Sequence, residues 1–387
     1  MRITGTYALS TTLGESVQAF VPHALPPAQP ELAPESYVAA NRVAELALAR
    51  LSGVAGLVPA ADWLLYSAVR KEALLTSQIE GTQATLADLF DEEAGFAPSN
   101  TDDVEEVSNY LRAFRLVQAE LRDSAGLPLS VRLLCNAHRL LLDGARGKGK
   151  QPGELRRSQN WIGGTRPGNA VFVPPPPERV PALLADLERF IHNMDDVSPS
   201  LPSLPPLVKT ALVHLQFETI HPFLDGNGRI GRLLIAALLE HWRLLPEPLM
   251  YLSGYLKQDQ AEYYRRLSNV RTEGDWESWV AFFLEGVAVA ALEAERGIVA
   301  IATLLAADRR RLLAAPKAGP ASYRLFEMLP MMPRFTIEQV RQKLGTSFPT
   351  ANAAVKALES LGIVAEQTGH KKNRNYSYAA YIAMLSG

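Results

Sequence analysis

A mainly α fold is what this sequence predicts: a helical bundle carrying one β-hairpin flap, followed by a C-terminal winged helix-turn-helix domain. Three observations predict it. Aliphatic residues and Ala dominate a hydrophobic fraction of 47%, and most apolar positions recur at helical spacing. One stretch rich in Gly, Pro and Asn, GARGKGKQPGELRRSQNWIGGTRPGNAVFVPPPPERV, interrupts that periodicity. Beyond the linker AAPKAGPAS at 314–322, short helices give way to two strand-like runs around a basic tip.

The elements follow in order. Residues 1–36 end in the Pro-rich LPPAQPELAPES and read as an extended surface arm. Helical periodicity begins near Tyr37 (YVAANRVAELALARLSG) and stops at Gly53. A second helix runs from about Trp63 to Glu80, with Gly81 placed as its C-terminal cap. TLADLFDEE is a third, short helix. TDDVEEVSNYLRAFRLV opens another, its acidic first turn favoured by the helix dipole. SVRLLCNAHRLLLDG continues the pattern to Gly144. NWIGG and AVFVP then read as the two strands of the flap, and PPPP ends the second because Pro cannot donate to a ladder. Helices resume with ERVPALLADLERFIHNM, LVKTALVHLQFETI, GRIGRLLIAALLEHW and SGYLKQDQAEYYRRLSNV, then the long WESWVAFFLEGVAVAALEAERGIVAIATLLAADRRRLL. In the last segment SYRLFEMLPMM, TIEQVRQKLG and TANAAVKALESLG read as three helices. IVAEQTG and NYSYAAY read as strands flanking the tip HKKNR, which makes a winged helix-turn-helix.

A chain of 387 residues exceeds one ordinary core. The expected division is an N-terminal arm and helical region at 1–110, a catalytic core at 111–290, a connecting helix and linker at 291–320, and the winged helix at 321–387. Net charge is −2, so the whole chain is no polyanion binder. The single cysteine, Cys135, lies on an apolar helix face; it excludes an internal disulfide framework and fits a reducing compartment. The N-terminus MRITGTYALS lacks the pattern of a signal peptide. No apolar run approaches the ~20 residues of a membrane span. A cytoplasmic location, without membrane contact, is expected.

The chemistry concentrates in HPFLDGNGRIGR, residues 221–232. Read as a loop entering a helix, it offers unpaired N–H groups and the positive end of a dipole. Gly226 and Gly228 let the backbone approach an anion, and Asn227 tolerates a left-handed conformation or donates an amide. Together they form a phosphate cradle. Arg229 and Arg232 share a helix face, and Arg forms bidentate pairs with phosphate oxygens. Asp225 at the rim repels phosphate unless Mg²⁺ bridges them. His221 is a candidate general base for an incoming hydroxyl. Taken singly, each feature has a plain reading as loop, turn or solvated face; their concentration in twelve residues argues for transfer from a Mg-nucleotide to a hydroxyl. The run lacks the Gly-Lys-Ser/Thr of a Walker loop.

This run resembles the Fic family signature HPFxDGNGRxxR and agrees with it at every specified position. The NWIGG…FVPPPP hairpin looks like that family's flap, and YLSGYL…EYYRRL…DWESWVAFFLEGV looks like its downstream helices; the likeness covers roughly 40–290. The resemblance implies a protein adenylyltransferase that moves AMP from ATP to a Ser, Thr or Tyr hydroxyl of a target protein, or of itself, releasing pyrophosphate. It implies His221 as the base and Asp225 as the Mg²⁺ ligand. Gly226, Asn227 and Gly228 would bind nucleotide phosphates, with Asn227 also holding the α-phosphate. Arg229 and Arg232 would grip the outer phosphates, with Ile230 and Gly231 part of the same nucleotide-binding run. Phe223 would anchor the loop in the core, and Tyr264 would line the adenine pocket unless it is a core aromatic. The flap's free edge is expected to pair with an extended target segment.

TSQIEG, 76–81, resembles the family's inhibitory motif [S/T]xxxE[G/N]. A Glu at a helix C-terminus is electrostatically misplaced and gains from an arginine partner. The resemblance implies that Glu80, with Thr76 one turn back and Gly81 beyond, pairs with Arg232 and leaves ATP unproductive. Residues 321–387 hold eight Lys and Arg against four Glu, a local balance of +4. That fits DNA backbone contact. The Ala-rich third helix, with only Asn352 and Lys356 to read bases, fits a protein contact or a homodimer equally well. Two other functions stay open from sequence: an ATP-sensing DNA-binding regulator, and a Glu80-dependent enzyme that removes AMP.

Overall fold

The computed structural model describes residues 2–28, 30–58, 62–144, 147, 149–192, 204–370 and 374–386. Two strands come first, β1 (Gly5–Thr12) and β2 (Glu15–Pro22), paired antiparallel with Gly5 opposite Pro22 and Thr12 opposite Glu15. The expected extended arm is therefore a hairpin over most of its length. Its reason lies in TYALSTT and ESVQAFV, which alternate in burial along a strand, and in a tight turn with Leu13 and Gly14 both at positive φ. Val17, Ala19 and Phe20 are its buried residues, and the Pro-rich composition begins only after it.

Helices α1 (Val38–Gly56), α2 (Asp62–Ile79), α3 (Leu86–Glu93), α4 (Thr101–Arg122) and α5 (Val131–Leu141) follow. Three of them start on side-chain caps. Thr85 and Asp88 form a capping box, Asn100 accepts from Asp103 N–H, and Ser130 accepts from Leu133 N–H. The expected flap is narrower than a two-stranded ribbon. It is a single antiparallel bridge between Ile162 and Phe172, around a 3₁₀ turn at Pro167–Asn169. Gly163 and Gly164, both at positive φ, and the prolines from Pro174 onward stop the ladder from growing. The N-terminal hairpin reinforces it: Phe20 N–H donates to Val173 O at 2.9 Å, and the Phe20 and Phe172 rings lie 6.3 Å apart.

Next come α6 (Val180–His192), α7 (Pro206–Ile220), α8 (Asn227–His241), α9 (Leu252–Gln258), α10 (Gln260–Glu273) and α11 (Trp276–Leu313). Every residue of α7 from Leu207 to Ile220 is buried, so α7 is the axis of the bundle. α8 packs against it, and the loop joining the two is the conspicuous motif. α11 runs unbroken for 38 residues, so the connecting helix expected from 291 is the second half of an element that begins in the core. Its apolar stripe continues past 290 through Ala294, Ile298 and Ile301, which leaves no cause for a break.

The last segment holds α12 (Pro320–Met328), β3 (Arg334–Thr336), α13 (Ile337–Leu344), α14 (Phe348–Ser360), β4 (Ala365–Glu366), β5 (Asn375–Ser377) and α15 (Ala379–Ser386). The sheet is antiparallel in the order β3-β5-β4. The three expected helices and the two expected strands are present. The second half of NYSYAAY is a correction: it starts α15. Tyr381, Ile382 and Leu385 recur at helical spacing and are buried, with Tyr381 against Trp63 of α2 at 6.4 Å between ring centroids. Lys371 and Lys372 of the basic tip lie outside the described residues. Among the described residues no helix is long and apolar enough to cross a membrane.

Candidate active site

The α7–α8 loop is built by commitments its own residues make. His221 ends α7 in the left-handed region, φ 50° and ψ 61°, and its N–H donates to Phe217 O at 2.9 Å. For a residue with a Cβ this backbone is strained and must be held by its surroundings. Arg156, buried at the foot of the flap, does so: its Nε donates to His221 O at 2.9 Å, Nη2 to Pro175 O at 2.5 Å, and its own N–H to Pro222 O at 2.9 Å. Phe223 turns into the core, as expected. Gly226, at φ 76°, then turns the chain into α8, and Ile230 N–H makes the bond to Gly226 O that opens the helix. The N–H groups of Asn227, Gly228 and Arg229 are left without intrahelical acceptors at the positive end of the dipole.

Asn227 departs from expectation. Its Oδ1 accepts from Phe223 N–H at 2.8 Å and its Nδ2 donates to Phe223 O at 2.9 Å. The side chain is buried and spent on closing the loop, so only its backbone N–H is left for a phosphate. Ile230 and Gly231 also depart. Ile230 faces the core, and Gly231 lies under the Glu218 carboxylate and the His214 ring, where a Cβ has no room. They bring α8 close to α7 and present no group to a nucleotide.

A residue that sequence reasoning passed over completes the loop. His138, on α5, lies flat on Phe223; its Nδ1 accepts from Gly153 N–H at 2.9 Å, and its Nε2 lies 3.0 Å from Asp225 O. With one ring nitrogen accepting, the other carries the proton, so the neutral imidazole donates to Asp225 O. Burial holds its pKa down at about 4. Burial, with Arg156 and Arg271 next, pushes His221 to about 3, so its imidazole is neutral at pH 7. Its ring also meets the Glu218 backbone, a hydrogen bond that opposes the downward shift; with Nδ1 buried, Nε2 is the nitrogen assigned to chemistry.

Both arginines of the motif are engaged by carboxylates. Arg232 Nη2 donates to Glu80 Oε1 at 2.6 Å and to Thr76 O at 3.1 Å, and its Nε donates to Thr76 Oγ1 at 2.6 Å. α2 ends at Ile79 and Gly81 follows at φ 101°, which delivers Glu80 to the mouth of α8. A Cβ on Gly228 would stand 2.5 Å from Glu80 Oε1. The Glu80 carboxylate thus lies over the helix N-terminus where an anion would sit. Arg229 pairs with Glu106 of α4, and with Asp225 at 3.4 Å. The cavity here is about 200 Å³, lined by Glu80, Glu105, Glu106, Asp225 and Arg229 among others. That is below the ~300 Å³ at which small-molecule sites begin.

Asp225 is half exposed, accepts from Gly226 N–H at 2.6 Å and faces Lys150 Nζ at 3.6 Å. Among the described residues no three His, Cys, Asp or Glu gather as a metal cage. One rim carboxylate is nevertheless what Mg²⁺ takes when phosphates supply its other ligands. Of the aromatic pair on α10, Tyr263 is the core member, hydrogen-bonded to His214 at 2.8 Å, and Tyr264 is 46% exposed with its ring against Tyr263.

Fold and site together define a helical protein with a helix mouth of open N–H groups, a neutral histidine beside it and a carboxylate closing it. Comparison with known proteins identifies the class. Residues 38–118 match the profile of the Fic/DOC family N-terminal region, and residues 128–239 that of the Fic/DOC family. The chain belongs to the Fic/DOC family. A protein adenylyltransferase Fic of Drosophila ananassae is 29% identical over 216 residues, covering 54% of this chain and 38% of that protein. Its counterpart in Drosophila erecta is 34% identical over 133 residues, 34% of this chain and 23% of that protein. The chain thus spans well under half the length of these curated relatives. Among solved structures, a Fic family protein from Desulfovibrio desulfuricans is 21% identical with a TM-score of 0.56, covering 90% of this chain and 97% of that one. A Fic domain containing signaling protein from Bacteroides thetaiotaomicron is 20% identical with a TM-score of 0.53, over 67% and 97% of the two chains. These establish the shared fold.

Proposed function

We propose that the protein is an autoinhibited protein adenylyltransferase that transfers AMP from MgATP to a Ser, Thr or Tyr hydroxyl of a protein, itself included. The observation that carries this reading is the Glu80 carboxylate lying over Gly228 while bonded to Arg232. A negative group held at a helix mouth and on an arginine marks where a phosphate belongs.

In the proposed reaction the target hydroxyl loses its proton to His221 Nε2 as its oxygen attacks the α-phosphorus. The bond from that phosphorus to the bridging oxygen breaks, and pyrophosphate leaves. The N–H groups of Asn227, Gly228 and Arg229 receive charge developing on the phosphate oxygens. Arg229 and Arg232, once released from their carboxylates, hold the outer phosphates in line. Mg²⁺, held by Asp225 and the phosphates, would supply charge neutralisation. Tyr264, half exposed and near Glu80, is assigned to the adenine side. An extended target segment pairs with the flap from the edge opposite the N-terminal hairpin. A pure ATP sensor has no use for a base, and a histidine standing at the end of α7 beside the α8 mouth favours transfer. We divide the chain into an inhibitory N-terminal region, a catalytic core and a C-terminal winged helix that borders α2.

Intact-mass spectrometry after incubation with MgATP tests this. An adenylyl-sized increment is expected on Glu80→Gly, little on the unaltered protein, and none on Glu80→Gly with His221→Ala. If neither self-modification nor labelling of added lysate proteins follows from Glu80→Gly, the reading fails.

A further inference from the structure

Glu80 closes one of the two arginines; the other is closed as well. Arg229 and Glu106 are paired with side chains only 7% and 12% exposed, and the remaining amino group of Arg229 faces Asp225. From sequence, Glu106 belongs to the acidic start of α4, one turn beyond Asp102 and Asp103, and signals nothing more. In the structure it reaches into the same cavity as Glu80. Taking Arg229 and Arg232 as the phosphate grips, as proposed above, we infer that Glu106 is a second inhibitory carboxylate, and that it and Glu80 withdraw together.

The competition is chemical. Arg229 commits Nη1 to Glu106 and turns Nη2 to Asp225, and pairs formed away from water must be exchanged before those donors can grip a phosphate. The walls agree, since Glu80, Glu105, Glu106 and Asp225 face one cavity of about 200 Å³ against Arg229. The outer phosphates of a triphosphate cannot reach Arg229 and Arg232 until the carboxylates leave. The mechanical link is also present. Gln83, three residues past Glu80, donates its N–H to Asp103 Oδ2 at 2.6 Å. Asp103 lies one helical turn before Glu106 on α4. The loop that carries Glu80 and the turn that carries Glu106 are thus tied, and displacement of either drags the other. A lone structural ion pair would need neither the cavity nor the tie.

Calorimetric titration of the full chain with MgATP and with AMP tests this on four proteins: unaltered, Glu80→Gly, Glu106→Gln, and both together. Glutamine keeps the shape at 106 and removes the charge. The expected result is that adding Glu106→Gln to Glu80→Gly tightens MgATP by about fivefold or more. AMP, which lacks the outer phosphates, should bind as before. Equal or weaker MgATP binding in the double variant would overturn the inference, as would equal tightening for AMP. Glu106→Asp, which withdraws the carboxylate by one methylene, gives the same readout should Glu106→Gln not fold. The comparison stands apart from the transferase reading: if Glu80→Gly gains no adenylyl mass yet MgATP tightens through Glu106, transfer fails and the second brake survives.

Discussion

The imidazole of His138 and the phenyl ring of Phe223 are stacked, their centroids 3.8 Å apart and their planes 12° from parallel. One stack thereby fixes the residue that anchors the motif loop to the residue that holds the Asp225 carbonyl. Replacing His138 with Ala removes the stack and both ring hydrogen bonds at once. In a Glu80→Gly background, kcat/KM for adenylyl transfer is expected to fall by roughly 10- to 100-fold, the scale of a misplaced catalytic loop. Because Asp225 moves with the loop, the magnesium concentration for half-maximal rate should rise. An unchanged magnesium dependence would mean that His138 packs without positioning anything.

Thr76 contributes to the brake through a separate bond. Its Oγ1 accepts from Arg232 Nε at 2.6 Å, deep in the interface between α2 and α8. Thr76→Val keeps the shape and deletes that bond to a charged donor, worth about 1.5–3 kcal/mol. Self-modification with MgATP should therefore rise, and by less than in Glu80→Gly, where the competing charge itself is gone. The ordering is the test. Thr76→Val matching Glu80→Gly would place the brake in the hydroxyl, and no rise at all would make the hydroxyl irrelevant.

What the sequence disclosed here, and what it concealed, divides along physical lines. Helices with strong apolar stripes were legible, and so was the loop at 221–232, because its chemistry is written in consecutive residues. The pairing of Glu80 with Arg232 was legible only through resemblance to a family motif. Glu106, Arg156 and His138 were not legible. Each acts on a residue 65 to 123 positions away, and nothing in the spacing of an acidic helix turn, an Arg after a turn or a His on an apolar helix encodes that distance. The N-terminal hairpin was missed for another reason. Prolines at 26–34 dominated the composition of the segment and hid the alternation before them.

Acid stability follows from buried groups of opposite sense. Burial pushes His138, His214 and His221 from 6.5 down to about 4, 3 and 3. Between those values and 6.5 the unfolded chain binds protons the native chain refuses, so stability is lost as pH falls below 6.5. Burial pushes Glu72 and Glu218 from 4.5 up to about 7. Between 4.5 and 7 the native chain keeps protons the unfolded chain has released, so these two contribute stability that is lost as pH rises. In the window 4.5–6.5 the two sets oppose each other. Below 4.5 only the histidines act, joined by carboxylates such as Glu277 that Arg2 holds low. Because three histidines oppose two carboxylates, the thermal midpoint should fall gently from pH 6.5 to 4.5 and steeply below. Glu218→Gln, which removes one opposing group, should steepen the upper window. A midpoint that drops as fast above pH 4.5 as below it would contradict the assignment.

The hairpin β1–β2 sets the position of the flap, and Phe20 is the hinge of that contact. Its side chain is 3% exposed, its ring meets Tyr7 at 5.4 Å and Phe172 at 6.3 Å, and its N–H holds Val173 O. Arg271 lies over the Phe172 ring with its guanidinium 3.9 Å from the centroid. Phe20→Ala removes a buried ring at a cost of about 3–5 kcal/mol. The helical bundle does not depend on the hairpin for its core, so the loss should appear as local release of the flap. Hydrogen exchange at the Ile162 and Val171 amides, which close the flap's bridge, is expected to accelerate well ahead of global unfolding. MgATP affinity in a Glu80→Gly background should stay unchanged, while transfer to a protein target should slow, because the flap orients the target and touches no phosphate grip. If exchange at those two amides instead tracks global unfolding, the hairpin is part of the global fold and does not govern the flap separately.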